Sequence, residues 1–291
     1  SDTGSQSPDP AEARIRVIQH PTISKSFSSA TIPANGVSTL TFNIANPNSA
    51  ALLPTGMNGI AFSDTLTNMQ IAAPLTIGGS CTGYTHDAVI GGTSLNISNV
   101  SVAPGSNCSI SVPVTSSTIG LLPNQTTGAT SNQTTAAGPP SNVANLRVIE
   151  PLTIAKSFAT ASVAPGSPVR MTFTLTNPNP VTVALNNPGF TDLFPTTPGT
   201  MVVAPTPNLS TTCAGTVVRN YDNTAAMAAG NNGVYIYGSN VNANSSCQIS
   251  FDVRVSASGN YTNTTSAVSS AGGNSAAASA PLFGLSIAAT N

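Results

Sequence analysis

The chain is 291 residues long, a length that suggests roughly two domains, each able to bury a core of its own. Charged residues make up only 6% of it, against about 25% in an ordinary globular domain, and the net charge is −1, which excludes a basic face for nucleic acid and an acidic tail. Glycine (24) and proline (23) are plentiful, yet 40% of the chain is hydrophobic, so the composition describes many short strands joined by turns rather than disorder.

Residues 1–20 form an N-terminal extension. Ser1–Pro10 is polar and aperiodic, and no basic, apolar leader stands there, so the chain reads as an already processed product. No stretch approaches the roughly 20 apolar residues of a membrane span, and no membrane insertion is expected. Within the extension, Arg14, Ile15, Arg16, Val17, Ile18 and Gln19 alternate as a strand does. The segment returns as Asn145-Leu146-Arg147-Val148-Ile149-Glu150, between the two halves of the chain.

The halves are copies of one another. Pro21-Thr22-Ile23-Ser24-Lys25-Ser26-Phe27 returns as Pro151-Leu152-Thr153-Ile154-Ala155-Lys156-Ser157-Phe158, with one residue inserted. Leu40-Thr41-Phe42-Asn43-Ile44-Ala45-Asn46-Pro47-Asn48 returns as Met171-Thr172-Phe173-Thr174-Leu175-Thr176-Asn177-Pro178-Asn179, a period-2 strand closed by a turn. Phe62-Ser63-Asp64 matches Phe190-Thr191-Asp192, and a Cys-bearing strand, Cys108–Val114 or Cys247–Val255, is read as closing each half. Roughly six to eight strands per half, without helical periodicity, predict an antiparallel β-sandwich in each. The expected division is extension 1–20, sandwich 21–143, junction strand 144–150 and sandwich 151–291. The segments 126–141 and 262–280, small and polar, read as surface loops or edge strands. Pro281–Ala288 stands where Asn145–Glu150 stands in the first repeat, and reads either as the last strand of the second sandwich or as an alternative donor strand.

Four cysteines fall two per half, too widely spaced for a zinc ribbon, and point to an oxidising compartment outside the cytoplasm. Of three possible connectivities, the economical one pairs Cys81 with Cys108 and Cys213 with Cys247, each bridge being worth about 3 kcal/mol through loop closure.

Catalysis is not expected: His20 and His86 have no counterparts in the other half, and no nucleophile elbow, phosphate loop or paired-carboxylate site is present. No cofactor or metal is expected either. The chain's two lysines, Lys25 and Lys156, occupy the same repeat position, as do Asp64 and Asp192. Two readings stay open: a partly buried ion pair in each half, or a spontaneous Lys-to-Asn or Lys-to-Asp amide crosslink, which needs a desolvated neutral amine beside a protonated carboxyl. The turn residues Asn46 and Asn177 repeat with them, but no catalytic acid of the sort that the crosslink requires repeats. Asn-x-Ser/Thr triplets occur at Asn96, Asn99, Asn107, Asn124, Asn132, Asn208, Asn244, Asn260 and Asn263, close to the frequency that this composition gives by chance, so glycosylation stays open.

The Thr-Ile-Ser-Lys-Ser-Phe segment, the Ala164-Pro165-Gly166 turn, the strand ending in Asn-Pro-Asn, the Phe-x-Asp segment and the paired cysteines resemble the conserved-repeat, immunoglobulin-like domains of bacterial cell-surface proteins. The resemblance spans both halves and implies secreted or cell-surface β-sandwich modules used as scaffolds. Joined to the unpartnered strand Arg14–Gln19, it suggests an extracellular head-to-tail filament in which that strand adds to an edge of another copy's second sandwich. The expected partner is then the protein itself, with a host or surface receptor as a further possibility. The alternatives are a stalk segment of a large surface adhesin, or a glycan-binding module using Tyr84, Tyr221, Tyr235 and Tyr237; the absence of tryptophan weakens the latter.

Overall fold

The computed structural model describes residues 15–134 and 136–286; Arg14, Ile287 and Ala288 of the segments above lie outside them. Every regular element among the described residues is a strand. The first repeat supplies β1 (Thr22–Phe27), β2 (Thr31–Pro33), β3 (Val37–Ala45), β4 (Met57–Thr65), β5 (Gln70–Ile71) and β6 (Gly78–Gly79). It continues with β7 (Thr85–His86), β8 (Ser94–Val102), β9 (Asn107–Thr115), β10 (Gly120–Asn124) and β11 (Ala144–Ile149). The second repeat supplies β12 (Thr153–Phe158), β13 (Ser162–Val163), β14 (Val169–Asn177), β15 (Val183–Ala184), β16 (Phe190–Leu193), β17 (Met201–Val203) and β18 (Ser210–Thr211). Then follow β19 (Val217–Asn220), β20 (Gly233–Tyr237), β21 (Asn240–Val241), β22 (Ser245–Val255), β23 (Gly259–Thr264), β24 (Val268–Ser270), β25 (Gly273–Ser275) and β26 (Ser279–Gly284).

The two repeats build the same immunoglobulin-like sandwich. One sheet runs β1-β3-β9-β5 in the first and β12-β14-β22-β17 in the second. Opposite it stand β4-β8-β7 and β10-β11-β2 in the first repeat, and β16-β20-β19 and β13-β26-β23 in the second. The alternation read from the sequence decides which residues point inward: Leu40, Phe42 and Ile44 of β3 are buried, as are Met171, Phe173 and Leu175 of β14. The layers meet through aromatic rings. Phe42 and Phe62 lie 5.4 Å apart between centroids, and Phe173 and Phe190 lie 5.1 Å apart.

By contacts the chain falls into two compact units. Of the described residues, one holds those before Thr31 with Val37–Thr115 and Leu122–Leu146; the other holds Thr31–Gly36, Ser116–Leu121 and those from Arg147 onward.

Three features differ from the sequence reading. The pairing is not wholly antiparallel, because β11 runs parallel to β2, and β26 parallel to β13. The Cys-bearing strand does not close its repeat: β9 lies between β3 and β5, β22 between β14 and β17, and further strands follow each. The small polar segments are not surface loops throughout. Thr126, Ser141, Thr265 and Ser270 are buried, because their hydroxyl groups satisfy backbone groups beside them, and Asn263 is buried with its amide on a core carboxylate. The Ser141 hydroxyl accepts from the Thr126 amide while the Thr126 hydroxyl accepts from the Ser141 amide.

Cys81 is bonded to Cys108 and Cys213 to Cys247, each bridge lying within one repeat. Phe251, fully buried between Phe173 and Phe194, tests the second core. Phe251→Ala is expected to lower unfolding stability by about 3–5 kcal/mol in urea denaturation, whereas Val37→Ala, at an exposed position, stays within about 0.5 kcal/mol.

Candidate functional site

Each sandwich holds one charged centre in its core. In the first, β1 pairs with β3 so that Lys25 lies opposite Phe42 and points between the sheets. Its Nζ sits 5.3 Å from the centre of the Phe42 ring and donates to Oδ2 of Asp64, on β4. In the second, Lys156 lies opposite Phe173, with its Nζ 5.3 Å from that ring and 2.6 Å from Oδ2 of Asp192. All four charged side chains are fully buried. The structure therefore brings Lys25 to Asp64 and Lys156 to Asp192.

A third residue, singled out in the sequence only as the start of an Asn-x-Thr triplet, completes both centres. Asn124, on β10, donates its Nδ2 to Oδ1 of Asp64 at 2.9 Å and to the carbonyl of Thr65 at 2.8 Å. Asn263, on β23, donates its Nδ2 to Oδ2 of Asp192 at 3.1 Å. The carbonyl oxygens of both asparagines are buried and accept no hydrogen bond, and neither does Oδ1 of Asp192. The signal in the sequence was faint: Gly120-Leu121-Leu122-Pro123-Asn124 and Gly259-Asn260-Tyr261-Thr262-Asn263 share only the glycine, an inward apolar residue and the asparagine.

Burial dominates the electrostatics. It pushes the Lys156 ammonium down to about 8, and the attraction of Asp192 offsets this only in part. Lys25 is likewise held below the usual lysine range by burial, against the pull of Asp64. The Asp192 carboxyl is raised by burial, with Lys156 and Asn263 pulling it the other way. The arrangement thus narrows the gap between a charged pair and a neutral amine beside a neutral acid.

The second feature is the segment before β1. Both repeats hold the chain just before their first strand with the same clamp. Asn48 accepts from the Gln19 amide and donates to the Gln19 carbonyl at 2.8 and 2.9 Å; Asn179 does the same for Glu150 at 2.7 and 2.8 Å. The clamp aligns Gln19 with Glu150, hence Val17 with Val148 and Ile15 with Leu146. The environments differ sharply. Leu146 and Val148 are 0% and 1% exposed in β11, whereas Ile15 and Val17 are 90% and 71% exposed, and residues 15–20 are in no strand. In the second repeat the equivalent strand is β26, which pairs with β23 and β13. There Leu282 takes the place of Leu146 and Gly284 that of Val148, since Gly284 faces Val163 as Val148 faces Ile32.

Among the described residues no group of three or more His, Cys, Asp or Glu is placed to hold a metal. No described helix is long and apolar enough to cross a membrane.

The family described as Domain of unknown function (DUF7933) matches residues 21–148 and again residues 152–283. No curated protein matches the chain. Among solved structures, it is similar to the C-terminal domain of the Streptococcus agalactiae AgI/II polypeptide BspA, at 12% identity and a TM-score of 0.49, over 90% of this chain and 99% of that one. The C-terminal domain of the Streptococcus pyogenes antigen I/II-family protein AspA gives 10% identity and a TM-score of 0.48, over 92% and 100%. The major pilin SpaD of Corynebacterium diphtheriae gives 14% and 0.34, over 53% and 42%.

Two expectations follow from the centres. Asp192→Ala leaves a buried lysine without its partner and is expected to cost about 3–5 kcal/mol in urea denaturation, while Asp222→Ala, at an exposed position, costs little. A chain carrying Asn263→Ala keeps Lys156 as an amine, with Asp192 as the charged group facing it. Below about pH 8 its folded and unfolded forms both hold that proton. Between about 8 and the ordinary lysine value of 10.5 only the unfolded form does, so stability is expected to rise with pH across this window, by on the order of 3 kcal/mol. Denaturation midpoints that stay level or fall there would contradict this.

Proposed function

We propose that this chain, which belongs to the DUF7933 family through both of its repeats, is a structural module of an extracellular bacterial fibre or adhesin stalk, joined end to end through the segment Ile15–Gln19. The observation that carries the reading is the repeated clamp. Asn48 and Asn179 hold equivalent residues, and the segment that precedes the clamp is a buried strand in one repeat and exposed, outside any strand, in the other. An exposed alternating segment with two large apolar side chains is suited to completing a sheet. A disulfide in each repeat fits an oxidising, extracellular setting, and a chain with 6% charged residues fits scaffolding better than catalysis.

Two joints of this kind can be compared. Head-to-tail self-assembly into the second sandwich would put Val17 where β26 has Gly284. A Cβ added there would meet the carbonyl oxygen of Ala257 at 2.4 Å and the Tyr261 ring at 3.3 Å. A sandwich whose final strand carries leucine and valine, as β11 does, takes Ile15 and Val17 without that conflict. We therefore favour a stalk array, in which Ile15–Ile18 is the last strand of a preceding sandwich of the first kind, over a filament closed through the second sandwich.

The test is a chimera with residues 21–143 placed directly ahead of residue 13, so that 13–19 follows Val143 as 144–150 does. The amides of Ile15–Ile18 are expected to become as protected from hydrogen exchange as those of Leu146–Ile149. If they keep exchanging freely while the added sandwich is folded, the reading fails. Sedimentation of the native chain separates the two joints: the array reading expects a monomer, whereas polymers abolished by Ile15→Asp with Val17→Asp would restore self-assembly.

A further inference from the structure

The Lys–Asp–Asn centres hold more chemistry than an ion pair uses. An ion pair accounts for the lysine and one carboxylate oxygen. It gives no reason for an asparagine on a different strand to be buried against the same aspartate in both repeats, with its carbonyl oxygen left without a donor each time.

We propose that each sandwich is closed by an amide bond from the lysine Nζ to the asparagine Cγ, Lys25 to Asn124 and Lys156 to Asn263, with Asp64 and Asp192 carrying the protons. Three observations converge. First, each aspartate touches both reacting groups: Asp64 binds the Lys25 amine through one oxygen and the Asn124 amide through the other, and Asp192 binds both through Oδ2. Amine and amide are thus held against one proton carrier. Second, the site is sealed from water, with all the charged side chains buried and a phenylalanine ring under each amine. Burial favours the neutral amine and neutral acid that the reaction needs, the direction already seen for both lysines and for Asp192. Third, the unpartnered asparagine carbonyl is the group that a protonated aspartate would polarise, once the amide turns its oxygen toward the acid.

The step balances within the protein. Proton transfer from the ammonium to the aspartate leaves a neutral amine and a carboxylic acid. The amine lone pair attacks Asn Cγ while the acid donates its proton to the amide oxygen. The aspartate then takes the surplus proton from the attacking nitrogen and passes it to the departing NH2. The C–N bond to the amide nitrogen breaks, the carbonyl re-forms and returns the proton on its oxygen to the aspartate, the new C–N bond to lysine remains, and one ammonia leaves. No oxidant, metal or second substrate is consumed.

The bond would tie β1 to β10, and β12 to β23, strands that lie in opposite sheets of each sandwich. It does not depend on how the chain is assembled, so it stands or falls separately from the stalk reading.

The intact mass of the full chain, reduced and denatured, decides the matter. The expected value is below that of the sequence by two ammonias, and digestion should yield branched peptides joining the Lys25 and Asn124 segments and the Lys156 and Asn263 segments. Asp64→Ala and Asp192→Ala should each restore one ammonia, as should Asn124→Ala and Asn263→Ala. A wild-type mass equal to the sequence overturns the proposal, and since this reading needs no variant, misfolding of a mutant does not obscure it. Loss of water in place of ammonia, with branching at the aspartates, overturns the assignment to asparagine. Ammonia lost only from unbranched peptides overturns the crosslink.

Discussion

An amine removed from water must be answered from inside the protein, and that requirement organises both sandwiches. Lys25 can be answered only if β1 sits in one register against β3, since a slip of one residue would turn the lysine to the outer face. The answer comes from β4 across the sandwich, and the aspartate there is steadied by an asparagine from β10. Three strands that are far apart in sequence are thereby fixed relative to one another by a few polar atoms. The apolar layers around them, Phe42 on Phe62 and Phe173 on Phe190, supply the bulk of the cohesion but are far less particular about register.

Much of this was legible in the sequence, and the reasons for the rest are physical. Lysine and aspartate could be picked out because charge is so scarce that two repeated pairs are conspicuous. Asn124 and Asn263 could not, because asparagine is abundant here and most asparagines sit in turns, so a buried one looks like its neighbours. The same blindness affected 126–141 and 262–280. Small hydroxyl and amide side chains look like loop residues by composition, yet they pack inside whenever the backbone beside them needs partners, as Thr126 and Ser141 show. The Cys-bearing strand reads as the last of its repeat for a different reason: the strands after it, β10 and β23, are short and contain proline or glycine, and so carry little periodic signal.

The contrast between the final strands of the two repeats is chemical as well as positional. β11 fills its place with Leu146 and Val148, while β26 uses Ala280, Leu282 and Gly284, and the backbone around Gly284 has closed in to the point where no side chain fits. Two copies of one sequence pattern therefore differ in their final strands and are alike where the chain is clamped before its first strand.

The burial of Asn124 and Asn263 has a further consequence. Both begin Asn-x-Thr triplets, and both amide nitrogens face an aspartate in the core. A sugar attached to either nitrogen would have to occupy the space between two closed sheets. Modification of the unfolded chain and completion of the sandwich are therefore mutually exclusive at these two positions. A host that glycosylates proteins during export would divide the product into decorated chains that cannot close and undecorated chains that can, so the choice of secretion route becomes a determinant of folding yield.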